Sequence, residues 1–343
     1  MGSKIDKEGA RYRARLEKTL TDKKVTMTEV NALIKDAHNG HFSEVEAHYL
    51  SGFVDNKKSN IDPAARKKLL EFVEGEMEQL AKIAGDTGLT SRPKQPKITE
   101  DSKKTGLVTW DAKQGDLTVN GFGMDDPLQG QVGDCYFIAA LASVAKSHPE
   151  LLEKAIKKNS DGTYTVTFFE TKNGKQKPVQ ITIDGTLANR HGRLEYAASR
   201  SDRELWPMLF EKAYAAWKGG FDAIEAGMSA TAFQAITGAK GDFFAVTSDS
   251  KQTELWKNLK KVTSDGGVAV AISKPSDPSE QGIVADHAYS LLGVEEKNGQ
   301  KFVQLRNPWG EREPGRDGRD DGIFSLPLTQ FMGSFTMVEF AKP

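Results

Sequence analysis

The chain has 343 residues, of which 38% are hydrophobic and 28% charged, with a formal net charge of −1. That length allows two or three domains, and the balanced charge argues against a broad footprint for nucleic acid or an anionic membrane. No apolar run approaches the roughly 18 residues of a membrane span, MGSKIDKEGARYRARLEK lacks the apolar core of a signal peptide, and a single cysteine, Cys135, forms no internal disulfide.

Residues 4 to about 88 read as helical. Thr26 with Glu29, and Ser43 with Glu46, have capping-box spacing. Asp62 followed by Pro63 is an N-cap and N1 pair. Val30, Leu33, Ile34 and Ala37 repeat at helical spacing, as do Leu69, Leu70, Val73, Met77 and Leu80. The layout has the helix-loop-helix shape of an EF-hand. Its loops, KDAHNGHFSEVE and VDNKKSNIDPAA, lack the ordered carboxylates and closing Glu of a calcium loop. Residues 1–90 are therefore expected to be a small all-α domain without metal. GLTSRPKQPKITEDSKK, with Pro93 and Pro96, reads as the linker, assigned to 91–105.

From 106 the pattern changes. Residues 135–146 predict a buried helix, and ELWPMLFEKAYAAWKG an amphipathic one. TYTVTFFE, PVQITID, GVAVAIS, HAYSLLGVEE, KFVQLRN and FTMVEFA read as strands. Helices first and strands second predict an α+β core of two lobes, 106–236 and 237–343, with a cleft between them.

Cys135 lies in QGQVGDCYFIAALASV, where Gly133-Asp134 turns into the helix. A helix N-terminus favours a thiolate; a lone cysteine among apolar neighbours is equally a core residue. Of the six histidines, His38, His41 and His48 fall in the N-terminal region, while His148 and His191, among charged and turn residues, read as surface. His287, in IVADHAYSLLGV, enters an apolar strand and is either a cleft histidine or a structural one. Asn307 in VQLRNPWGE ends a strand before Pro308, where its amide can orient an imidazole; an ordinary Asn-Pro turn is the alternative. Trp309 can cover that bond. Gln129, six residues before Cys135, is placed to donate to an oxyanion beside the Cys135 N–H. The order Cys, His 152 residues on, then Asn matches widely spaced thiol proteases.

QGQVGDCYFIAALASV, DHAYSLLGV and LRNPWGE together resemble the active-site blocks of the calpain family of cysteine proteases. SDRELWPMLFEKAYAAWKGGFDAIEAG and DGIFSLPLTQFMGSF extend the resemblance over roughly 106–341. It implies a papain-like two-lobed core in which Cys135 is the nucleophile, His287 the base and acid, Asn307 its orienter, Gln129 an oxyanion donor and Trp309 the cleft tryptophan. Tyr136 stands where the family often has Trp.

The resemblance also implies calcium, one ion per lobe. Val119, Gly121, Asp126 and Glu211 match ligand positions in the first lobe, and Glu313 and Asp321 in the second. The second loop is short and has Ile323 where an acidic ligand is expected, so a reduced need for calcium, or none, is anticipated. The expected activity is peptide-bond hydrolysis on protein or peptide substrates, without nucleic acid. A papain-fold acyltransferase or deamidase, and a non-catalytic interaction protein using its N-terminal helices, are the rival functions. The N-terminal domain is expected to bind the core or another protein. The expected location is the cytoplasm, or outside the cell without a cleavable signal.

Overall fold

A computed structural model describes residues 25–38, 61–69, 71–72, 93–105, 108–247, 251–264, 266–276, 282–314 and 319–343. Two compact units emerge. One comprises Met1–Arg92, Ile98–Ala112 and Thr186–Glu195, the other Pro93–Lys97, Lys113–Gly185 and Tyr196–Pro343.

In the first unit, helix α1 (Met27–His38) starts at the expected capping box. Glu29 accepts the Thr26 N–H at 2.7 Å, and the Thr26 hydroxyl oxygen accepts the Glu29 N–H at 3.4 Å. Asp62 Oδ1 accepts the N–H groups of Ala64 and Ala65 at 3.0 and 3.1 Å, and residues 63–69 are helical. Val25 and Ile61 bridge in parallel, and Val25, Val30, Ile61, Ala65 and Leu69 are buried. Ser43, Glu46, Val73, Met77, Leu80, His41 and His48 lie outside the described residues. Helix α2 (Glu100–Thr105) and strand β1 (Thr109–Ala112) follow. β1 pairs antiparallel with β6 (Thr186–Arg190), which pairs with β7 (Arg193–Leu194).

The second unit is the α+β core. Its helical half contains β2 (Pro127–Leu128), α3 (Cys135–Ser147), α4 (Pro149–Ala155), β3 (Ile156–Lys158), β4 (Tyr164–Lys172), β5 (Lys175–Ile183), β8 (Ala198–Ser199), α5 (Trp206–Lys218) and α6 (Ser229–Thr237). α3 is apolar on nearly every face and is buried from Tyr136 to Ala145, as its Ala and Leu content demands. The other half is a six-stranded antiparallel sheet in the order β13-β12-β11-β10-β14-β9. Its strands are β9 (Gly241–Ala245), β10 (Val268–Ser273), β11 (Ala288–Lys297), β12 (Gln300–Arg306), β13 (Ile323–Pro327) and β14 (Phe335–Ala341), accompanied by α7 (Gln252–Thr263) and α8 (Leu328–Ser334). Leu255, Trp256 and Leu259 of α7 join Tyr289, Leu305, Phe331 and Phe335 in its core. α3 is fastened to the sheet by hydroxyls: Ser143 donates to the Ala269 carbonyl at 3.0 Å, and Ser290 to the Ala139 carbonyl at 2.9 Å.

The stretch expected to be a linker does not hang free throughout. Pro93–Lys97 belongs to the second unit, where Gln95 donates to Asp184 at 2.6 Å and the Lys97 carbonyl accepts the Phe221 N–H. No helix among the described residues is long and apolar enough to cross a membrane.

Candidate active site

Cys135 is the first residue of α3, and Asp134 is its N-cap. The Asp134 carbonyl takes the N–H groups of Phe137 and Ile138. The Cys135 N–H therefore has no acceptor among the described residues and is free for an incoming oxygen. Gln129 lies in the strand-to-turn segment before it. Its backbone N–H donates to Pro308 O at 2.9 Å, and its Nε2 to Val132 O at 2.8 Å, which leaves one N–H of that amide uncommitted.

His287 enters β11 from a loop held by the sheet. Its N–H donates to Ser273 Oγ at 2.9 Å, and the Tyr289 hydroxyl accepts the Val284 N–H at 2.9 Å. Asn307, at the end of β12, is fully buried and every side-chain valence is used. Its Nδ2 donates to the carbonyls of Glu311 and Arg312, at 2.9 and 3.3 Å. Its Oδ1 accepts the Trp309 N–H at 3.1 Å and lies 3.0 Å from His287 Nε2. The amide cannot flip without losing these bonds, so Oδ1 is the acceptor and His287 carries its proton on Nε2. Nδ1 is then the basic nitrogen. Trp309 sits 4.7 Å from the imidazole, ring centre to ring centre, and Tyr289 meets it edge-on at 5.1 Å.

Cys135, His287, Gln129 and Trp309 line one cleft of about 420 Å³. Burial pushes the Cys135 thiol up to about 11, and the charges of Asp134 and Asp286 add to the rise; the N–H groups of Ala288 and Tyr136 oppose it. Burial lowers the His287 imidazole, against the Asn307 bond and the Asp286 charge, which raise it. Both shifts favour the neutral thiol–imidazole pair over the ion pair in this conformation.

Beneath the helix start lies a carboxyl pair. Asp134 is fully buried, and burial raises it to about 7 against a hydrogen bond with Glu211. Glu211 is raised well above the usual range by burial first and the Asp134 charge second, although the Ala197 N–H donates to both its oxygens. At neutral pH this pair retains at least one proton.

The residues matched to calcium positions separate in space. Asp126 accepts the Gly123 N–H at 2.6 Å and the Trp206 indole N–H at 3.2 Å. Facing it is Glu204, which accepts the Val119 N–H at 2.7 Å and the Ser199 hydroxyl at 2.8 Å. Burial raises the Glu204 carboxyl, and the Asp126 charge adds to the rise. Glu211 shares no hydrogen bond or charge interaction with Asp126 among the described residues and is engaged with Asp134 and Ala197 instead. Glu204 lies just before α5, in an isolated bridge with Asp116, whereas Glu211 lies inside that helix; the Glu before Leu205-Trp206 was the signal missed. Gly121 sits in the same loop at φ 92°. In the other half, Asp321 Oδ1 accepts the Ile323 N–H at 3.0 Å, and residues 315–318, between Glu313 and Asp321, lie outside the described residues. Among the described residues no group of three or more His, Cys, Asp or Glu side chains is placed to hold a metal. His148, expected at the surface, is half-buried, with Nε2 against the Gly266 carbonyl; His191 is exposed at φ 53°.

The sequence model of the calpain family cysteine proteases matches residues 91–321. Human calpain-8 is 31% identical over 261 residues, 65% of this chain and 36% of its own. The rice calpain-type cysteine protease ADL1 is 34% identical over 195 residues, 54% of this chain and 9% of its own. The human calpain-2 catalytic subunit is 30% identical over 232 residues, 62% of this chain and 32% of its own. The chain thus spans about a third or less of the length of these relatives. A solved procathepsin L 3 from the larval midgut of Tenebrio molitor aligns over 92% of this chain and 99% of its own at 12% identity and a TM-score of 0.26. With a family match over well more than half its length, on the segment that holds Cys135, His287 and Asn307, the chain belongs to the calpain family of cysteine proteases.

Proposed function

We propose that the chain is a cysteine endopeptidase working through Cys135, His287 and Asn307. The observation that carries this reading is the locked Asn307 amide, which fixes the His287 tautomer with Nδ1 free in the cleft that Cys135 lines. Nδ1 takes the thiol proton, and Sγ attacks the carbonyl carbon of a peptide. The oxyanion receives the Cys135 N–H and the uncommitted Gln129 N–H. The imidazolium protonates the leaving amine, and water, deprotonated by His287, releases the acyl group and restores the thiol. Because burial raises the thiol and lowers the imidazole, the ion pair requires substrate or a rearrangement of the cleft to offset the desolvation of the thiolate.

Cys135→Ala is expected to abolish cleavage of unfolded casein with an unchanged circular dichroism spectrum and melting point. Cleavage at the wild-type rate would reject the assignment. Mass analysis of products separates hydrolysed backbone from the modified side chains of an acyltransferase or deamidase.

Calcium fits the first-lobe loop. Two facing carboxylates, Asp126 and Glu204, repel each other, and an oxygen-only donor set of this kind suits Ca²⁺. Bound there, the ion would neutralise that repulsion and stiffen residues 119–126 against α5. We assign the second carboxylate to Glu204 in place of Glu211. Thermal melting in CaCl2 against EGTA should show a stabilising shift that Asp126→Asn or Glu204→Gln removes and Glu211→Gln keeps. An equal shift in all four proteins would place calcium elsewhere.

A further inference from the structure

The cleft has a lining biased towards negative charge. Its lining includes Gly133, Cys135, Glu225, Ala226, Asp286 and Trp309, and the charged side chains among the lining residues, besides the titratable His287, are the carboxylates Glu225 and Asp286. Both residues are exposed, and neither carboxylate has a hydrogen bond or ion pair among the described residues. Arg312 stacks on Trp309 at 5.3 Å but is not part of the lining.

Glu225 arches over Gly133, where an added Cβ would lie 3.2 Å from its Cγ and 3.5 Å from Oε1. Gly133 is two residues before the nucleophile. The Ala226 N–H donates to the Gly133 carbonyl at 2.9 Å, which ties the Glu225 segment to the start of the cysteine helix. Asp286 immediately precedes the catalytic histidine and is held at φ 51°, a left-handed conformation that Asp adopts more readily than most residues. One carboxylate thus stands on the cysteine side of the cleft and one on the histidine side. An extended substrate rises about 3.3 Å per residue, so a side chain on either side of the scissile bond passes within reach of one of them.

We propose that Glu225, assisted by Asp286, makes this cleft select peptide segments with a Lys or Arg within about three residues of the scissile bond. The inference rests on the peptidase reading above. An ammonium or guanidinium there gains an ion pair with a carboxylate that has none among the described residues, while an acidic side chain at the same place is repelled.

The test compares kcat/KM for two peptides that differ only in carrying Lys or Glu beside the cleaved bond, with a mixed peptide library read by mass spectrometry to locate that position. Wild type is expected to favour the basic peptide by about tenfold at low salt, with the ratio shrinking as salt rises. Glu225→Gln should bring the ratio towards one, and Glu225→Lys should invert it. Structural damage would lower both rates without inverting their ratio. Cleavage by wild type with no basic preference, or a ratio that survives Glu225→Lys, overturns the specificity and leaves the peptidase intact. Absence of any Cys135-dependent cleavage rejects the peptidase reading and the specificity with it.

Discussion

Asn307 shows how a single residue can settle a protonation state. Four bonds hold its amide, and the tautomer of His287 follows from their direction. The thiol opposite is held up to about 11, chiefly by burial. Labelling of Cys135 by iodoacetamide, with substrate absent, should therefore accelerate by about tenfold per pH unit through the neutral range, without an acid plateau. A plateau extending below pH 6 would show a thiolate already paired with imidazolium. Cys135, His287 and Asn307 could be singled out at this scale because each stands at a chemically distinctive place in the chain, and the structure brings Cys135 and His287 to one cleft with Asn307 bonded to the imidazole. The pairing of Asp134 with Glu211 was not, since nothing in the local sequence tells a capping aspartate from one that turns inward. Tyr136, in place of the family's frequent Trp, shows a packing constraint that sequence alone also hid: a Cβ on Gly227 would lie 2.5 Å from its ring.

Elements were legible where periodicity was strong. α3, α5 and the strands β4, β5, β10, β11, β12 and β14 fall on the segments that alternation and helical spacing marked. Helices α6 and α7 were missed, α6 in a stretch to which no element was assigned and α7 in a region read as strands. SATAFQAIT has two Thr and a Phe in nine residues, and tertiary contact overrides their weak propensity. α6 also draws its start from another element. Glu339 on β14 is buried and accepts the Ala230 N–H at 2.9 Å, satisfying a donor that the helix leaves open. Burial raises that carboxyl, against the bonds that lower it. Glu339→Ala should cost about 1–3 kcal/mol in urea unfolding. A change under about 0.3 kcal/mol would mean the N–H finds water or another acceptor.

For the whole molecule, the two-half α+β core was evident from the succession of helices and strands. The compact units interleave, with 98–112 and 186–195 grouped apart from the residues that flank them. Sequence order carries no mark of such grouping, because β1 and β6 are joined by register across more than seventy residues. Global stability should also report the buried carboxyl pair. Asp134 and Glu211 hold their protons more tightly folded than unfolded, so the folded state gains from them at pH below about 4 and loses that gain as pH rises through about 7. Glu211→Gln should accordingly raise the melting temperature more at pH 8 than at pH 5. An equal change at both values would mean that the pair does not titrate in this range.

The segment 125–129 is sewn to 306–308. Arg306 donates to the carbonyls of Asp125 and Pro127, at 3.1 and 2.9 Å, and Gln129 N–H to Pro308 O. Arg200 adds bonds to the Gly310 and Asp321 carbonyls beside them. This row is a seam along one edge of the cleft, and the halves cannot part there without breaking several bonds at once. Because Gln129 is bonded to Pro308, the residue before Trp309, any displacement along this edge would carry Gln129 and Trp309 together rather than apart.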